Sequence, residues 1–157
     1  MEFVIDSPAT ILDMAARGGA VTQLGWAVVK EMWSGGDSWA LRIDGDLVGI
    51  FGLYPIDGGA EAWFNVSPAA AEHMRFIIRH IRLTLENASY PEIVVLCTSK
   101  AGSRIARLVG FQFVETREDG EIWHAGYAQR KQWQGSCQAT GRTAAAPHFG
   151  AAGATAG

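Results

Sequence analysis

Residues 60–97 read AEAWFNVSPAAAEHMRFIIRHIRLTLENASYPEIVVLC, and the change of period inside them decides the fold. Ala60 to Val66 reads as a strand. Ser67-Pro68 then starts a helix: Ser accepts from an exposed amide as N-cap, and Pro sits first, where its missing N–H costs nothing. From Ala69 to about Glu86 the apolar residues Met74, Ile77, Ile78, Ile81 and Leu85 recur at helical spacing. Pro91 ends the connection, and Ile93 to Cys97 is a β-branched run suited to a buried strand. Strand, helix, strand in that order predicts a parallel crossover.

Working outward, the N-terminal half predicts a short strand at Phe3 to Ile5. A helix follows from Ser7-Pro8, with Ile11, Leu12 and Ala15 as its stripe and Gly18-Gly19 as its stop. Thr22 to Trp33 predicts a second helix, ended by Ser34-Gly35-Gly36. Trp39 to Ile43, Leu47 to Tyr54 and Ala60 to Val66 then form a meander, turning at Asp44-Gly45-Asp46 and Asp57-Gly58-Gly59. On the C-terminal side, Ser99 to Val109 predicts a short helix capped by Gly110. Phe111 to Glu115 and Glu121 to Tyr127 predict a closing hairpin. The expectation is an α/β (α+β) domain over residues 1–128, with a mixed, mostly antiparallel sheet of about six or seven strands and about four helices. Residues 129–157 are a low-complexity Gly/Ala-rich tail without periodicity.

The totals agree with one domain: 157 residues, 48% hydrophobic and 18% charged, are enough for a real core. Net charge is -3, which gives no reason to expect nucleic-acid binding. Its distribution is uneven. Residues 1–128 hold ten Lys/Arg against sixteen Asp/Glu, whereas the tail holds Arg130, Lys131 and Arg142 and no acid. A tail of opposite sign can lie on its own domain or on an acidic neighbour. Cys97 reads as an inert buried thiol and Cys137 falls in the tail, with no disulfide or metal spacing. No apolar run approaches the ~20 residues of a membrane span, and the N-terminus lacks a signal-peptide pattern, so cytoplasmic synthesis is expected.

The order of elements over residues 1–128 resembles the GNAT (N-acetyltransferase-like) superfamily, and three stretches carry the resemblance. Arg42 to Leu53 resembles its second and third strands with their tight turn. Glu61-Ala-Trp-Phe-Asn-Val resembles the fourth strand, which opens the cofactor cleft. Ser103-Arg-Ile-Ala-Arg-Leu-Val-Gly-Phe resembles the helix and Gly-Phe turn near the end of the fold, the most specific of the three. The sequence is also similar to divergent GNAT-like proteins encoded by tailed bacteriophages, which keep the Gly-Phe ending with a poorly preserved acetyl-CoA motif.

Active members hold the acetyl-CoA pyrophosphate in a loop of the form Arg/Gln-x-x-Gly-x-Gly/Ala, where glycines admit the phosphates and helix N-terminal amides donate to them. Here the junction reads Asn65-Val-Ser-Pro-Ala-Ala-Ala-Glu-His, with no glycine, one amide removed by Pro68, and an acid at Glu72. Members also place a Tyr four residues before the Gly of Gly-Phe, as acid for the departing thiolate. That position is Ala106. What the resemblance retains is Glu61 as base for an amine, against the plain alternative of a strand-edge carboxylate in solvent. Its cofactor-contacting positions are Val66, the amides of Ala69, Ala70 and Ala71, Arg75, and Ser99 and Ser103 on the short helix.

Arg75, Arg79 and Arg82 share one helical stripe, and Lys100, Arg104 and Arg107 another. They fit a nucleotide phosphate or an acidic partner, or simply two solvated faces. His73 and His80 have no third ligand in view, so no metal is expected. Trp26, Trp33, Trp39, Trp63 and Trp123 read as core or sheet-face packing.

Two functional readings follow. The double loss, at the cradle and at Ala106, favours a scaffold without cofactor, with a protein partner in a larger assembly, a virion on the phage resemblance, engaged through residues 129–157. The alternative is an acetyl-CoA-dependent N-acetyltransferase with an unorthodox cofactor loop.

Overall fold

The computed structural model describes residues 1–17 and 22–125. The Gly18-Gly19 stop, Tyr127, Cys137 and the 129–157 tail lie outside them. In chain order the elements are β1 (Phe3–Asp6), α1 (Ile11–Arg17), α2 (Gln23–Gly35), β2 (Asp37–Ile43), β3 (Asp46–Ile56), β4 (Gly59–Val66), a 3-10 helix (Pro68–His73), α3 (Met74–Asn87), β5 (Ile93–Cys97), α4 (Lys100–Val109), β6 (Gln112–Arg117) and β7 (Gly120–Ala125). The strands form one sheet in the order β1-β2-β3-β4-β5-β7-β6. Among the described strands only β4 and β5 pair in parallel, as the crossover requires; the other neighbours are antiparallel. The expected class is what the chain adopts.

Helices cover both faces. Ile77, Ile81 and Leu85 of α3 and Ala106 and Val109 of α4 pack with Leu41, Phe51, Leu53, Ile93 and Val95 on one side. On the other, Met14 of α1 and Val29 of α2 pack with Ala40 and Ile50, flanked by Trp26, Trp33 and Trp63. Strand β3 lies between the two layers, which is why Val48 to Leu53 is buried without interruption and shows no alternation in sequence. No described helix is long and apolar enough to cross a membrane.

Two local expectations are corrected. The first helix starts at Ile11, not at Ser7-Pro8. Ser7 instead donates its hydroxyl to the Ser38 carbonyl at 3.2 Å. Thr10 is the true cap: its Oγ1 accepts from the Asp13 amide at 3.1 Å, and Asp13 Oδ2 accepts from the Thr10 amide at 3.0 Å. The later start turns the helix, so Met14 is buried while Leu12 is 77% exposed. Asp13 is buried as well. Burial alone would raise its pKa, but hydrogen bonds from Thr10 and Arg42, the latter at 2.6 Å, bring it below the ordinary value. The stability this pair contributes is therefore present above the unfolded carboxylate's pKa and lost as pH falls through the lower folded one.

The second correction concerns the crossover. Its first turn, Pro68–His73, is 3-10, and the α-helix begins only at Met74. Ser67 causes this: its Oγ accepts from the Ala69 amide at 3.2 Å and its carbonyl from Ala70 at 3.0 Å, which winds the turn tightly.

Candidate functional site

The site follows from how β4 and β5 meet. They pair over three positions only, Ala60, Ala62 and the residue between them on β4 against Ile93, Val94 and Val95 on β5. Beyond Ala62 and Val95 the two strands part, while β4 stays in unbroken register with β3 as far as Gly49↔Val66. The result is a V that opens toward the C-terminal ends of both strands. Parallel strands place binding crevices at that end.

Main-chain direction makes the V polar inside. Ala60 donates its amide to the Glu92 carbonyl across the closed end, at 2.9 Å. Alternation then turns the main-chain groups of Phe64 and Val66 into the gap from β4, and those of Leu96 from β5. These groups lie past the last strand pair, so an extended chain bearing amides fits between them. At the closed end a Cβ on Gly59 would overlap the Glu92 carbonyl oxygen, so only glycine lets the strands come this close.

The mouth of the V is framed by the 3-10 helix leading into α3, and by α4. Ala70 is fully buried, and Ala69 and Ala71 are exposed. The amides of Ala69 and Ala70 are already engaged by Ser67, so they are not open donors. Arg75 is exposed in the first turn of α3. Ser99 caps α4, accepting from the Gly102 amide at 3.0 Å. Ser103 is not brought to the V: it donates to Glu121 of β7 at 2.5 Å, on the far side of β5. There it lines, with Lys100, Arg104, Arg107, Leu108 and Trp123, a separate recess of about 400 Å³.

The face of the sheet under α1 and α2 carries a polar row. Register aligns Tyr54 of β3, Glu61 of β4, Val94 of β5, His124 of β7 and Gln112 of β6 as successive cross-strand neighbours. Glu61 is exposed and one residue short of the last β4–β5 pair. Tyr54 donates to Glu31 Oε1 of α2 at 2.9 Å, and that bond, with the charge behind it, raises the phenol's pKa. His124 Nε2 lies 3.8 Å from Glu92 Oε2. The next row toward the open end carries Trp63, Leu96 and Ile122 and ends on β6 at Glu115.

No protein-family model and no curated protein sequence matches the chain. Solved structures do. The ribosomal-protein-S18-alanine N-acetyltransferase of Escherichia coli superposes with a TM-score of 0.60 at 15% identity, over 81% of this chain and 95% of that one. PaiA N-acetyltransferase of Thermoplasma acidophilum, in complex with coenzyme A, gives 0.58 at 14%, over 81% and 100%. A GNAT family acetyltransferase of Elizabethkingia anophelis with acetyl-CoA bound gives 0.57 at 12%, over 79% and 97%. This is the GNAT fold.

The comparison corrects one expectation outright. The absence of a cofactor, argued from the lost glycines and Ala106, does not stand, because GNAT-fold structures similar to this chain hold coenzyme A or acetyl-CoA. The junction without glycines and the main chain that lines the V are separate parts of the chain, and the second needs no particular side chain. The phage and virion reading finds no support in these neighbours.

Within the GNAT fold the remaining positions are plain. Ala106 is fully buried on the inner face of α4, so that position brings no acid to the V. Cys97 is buried, and burial raises its thiol pKa, as expected of an inert thiol. His80 packs at a tilt against Phe76 and Phe3, and no metal-holding group occurs among the described residues. Sequence reading missed Phe64, Leu96 and His124. The first two turn main chain into the gap, which leaves no residue-type signal, and His124 falls in one row with Glu61 only once register is known.

Proposed function

We propose that this protein binds acetyl-CoA in the β4–β5 cleft and is an N-acetyltransferase acting on an amine. The observation that carries the reading is the V itself, a parallel pair that closes over three residues and then presents unpaired main chain from Phe64, Val66 and Leu96. When bound, the cofactor supplies an acetyl group activated as a thioester.

The chain's own residues do the rest. Main-chain groups of Phe64, Val66 and Leu96 hold an extended amide-bearing arm in line with β4, fixing the direction of approach to the closed end. Arg75 and the helix N-termini at the mouth favour anionic groups there. Because Ser67 occupies two amides of the turn, Arg75 carries a larger share of that task than in a glycine-rich cradle. Glu61, beside the closed end on the opposite face, attracts and orients the ammonium of the acceptor. The amine attacks directly, without a covalent intermediate on the protein.

Calorimetry with acetyl-CoA on the full chain is the direct test. Micromolar affinity that weakens in Arg75→Ala supports the reading. No detectable heat at millimolar acetyl-CoA would overturn it.

A further inference from the structure

The polar row permits a more specific statement about the acceptor, resting on the acetyltransferase reading. We infer that the acceptor nitrogen sits over Val94, between Glu61 and His124, that His124 takes its proton, and that the acceptor is a primary amine without a neighbouring carboxylate.

Spacing is the first argument. Glu61 and His124 are each one strand from Val94, so their main chains stand ~9.5 Å apart across the sheet. Each side chain reaches several ångströms, and the branched but short Val94 lies between them, half-buried. It also lies one residue from the last β4–β5 pair, where the cleft closes.

Basicity is the second argument. An exposed carboxylate is generally about two units less basic than an imidazole, so at neutral pH the imidazole is the better proton acceptor and the carboxylate the better anchor. The groups around His124 suit that division. Glu92, just before β5, is 3.8 Å from its Nε2 and steadies the imidazolium once formed. Gln112 on β6 and Val94 on β5 are its uncharged cross-strand neighbours. Glu61 is two strands away, and Glu115, one row on, is held by Arg117.

Charge is the third. The row holds no Lys or Arg from Tyr54 to Gln112, and Glu31 stands at its β3 end. A carboxylate beside the reacting nitrogen would meet acids with nothing to pair it, whereas an apolar or cationic body meets Trp63, Leu96 and Ile122 or Glu31.

The step balances as follows. The ammonium gives one proton to His124, which passes it to solvent. A C–N bond replaces the thioester C–S bond, and the second nitrogen proton leaves with the sulfur. The products are an amide, a thiol and one released proton, and no acid at Ala106 is needed.

The test is steady-state acetyl transfer by the full chain from acetyl-CoA to phenethylamine and to phenylalanine, which differ only in the carboxylate. Expected is a preference for phenethylamine of at least about tenfold in kcat/KM. His124→Gln should lower kcat by about 100-fold near pH 7 with acetyl-CoA affinity unchanged, and the deficit should shrink as pH rises toward the pKa of the amine. Glu92→Gln keeps the imidazole and should lose only several-fold with the same pH trend; it carries the test if His124→Gln does not fold. Turnover that ignores both substitutions, or accepts phenylalanine equally, overturns the inference and leaves the proposed function intact. No acetyl-CoA binding by the unaltered chain overturns both.

Discussion

The two ends of the β4–β5 pair are built in opposite ways. At the closed end the strands touch so tightly that Gly59 has no room for a Cβ, and Ala60 and Ala62 are buried against Ile93 and Val95. At the open end no described strand pairs with Phe64 or Val66 on the β5 side, and the turn beyond is wound by Ser67. The first end is a packing device and tolerates no change of volume. The second leaves main chain without a strand partner on that side. Glycine stands where the strands must meet, and none occurs in the junction from Asn65 to His73.

The comparison can be broken at four points. Gly59→Ala should cost about 3 kcal/mol in denaturant unfolding, because the added methyl must push β4 away from Glu92. A loss under about 0.5 kcal/mol would show that the closed end is slack. Glu61→Gln, next in size, should lower kcat/KM about 100-fold with stability unchanged, since the group is exposed and acts only on the amine. At the open end, Arg75→Ala should weaken acetyl-CoA about tenfold by calorimetry and leave the melting temperature where it was. Smallest is the cap exchange. Ser67→Ala and Ser99→Ala should each cost about 1 kcal/mol in unfolding. Only the first should spare or improve acetyl-CoA affinity, because it frees the Ala69 amide.

Most of the fold was legible because its punctuation is chemical. Hairpin turns at Asp44-Gly45 and Gly58-Gly59, the apolar stripe of α3 and the Gly110 cap each have a local cause, and all are found. Ser7-Pro8 misled for the same reason that Ser67-Pro68 succeeded. The motif states that a helix can start, and a competing partner, Ser38, decided that it starts at Thr10 instead. Of the residues that the proposed site uses, the sequence singled out Glu61, Val66 and Arg75. The loss of the glycines was read as loss of the ligand, although the cleft depends on strand divergence, which no single residue type encodes. Register across five strands was equally hidden, so His124 stood in the sequence as one histidine among four.

Trp63 shows what the divergence rests on. Its indole occupies the space that a side chain at Gly52 would fill, and its Nε1 is enclosed without an acceptor among the described residues. With eight register pairs to β3 as well, β4 is anchored to the strand behind it and cannot drift across to close on β5. The gap is therefore a resting property of the sheet. A ligand entering it meets a wall already in position, so association should be a single-step, diffusion-and-orientation process.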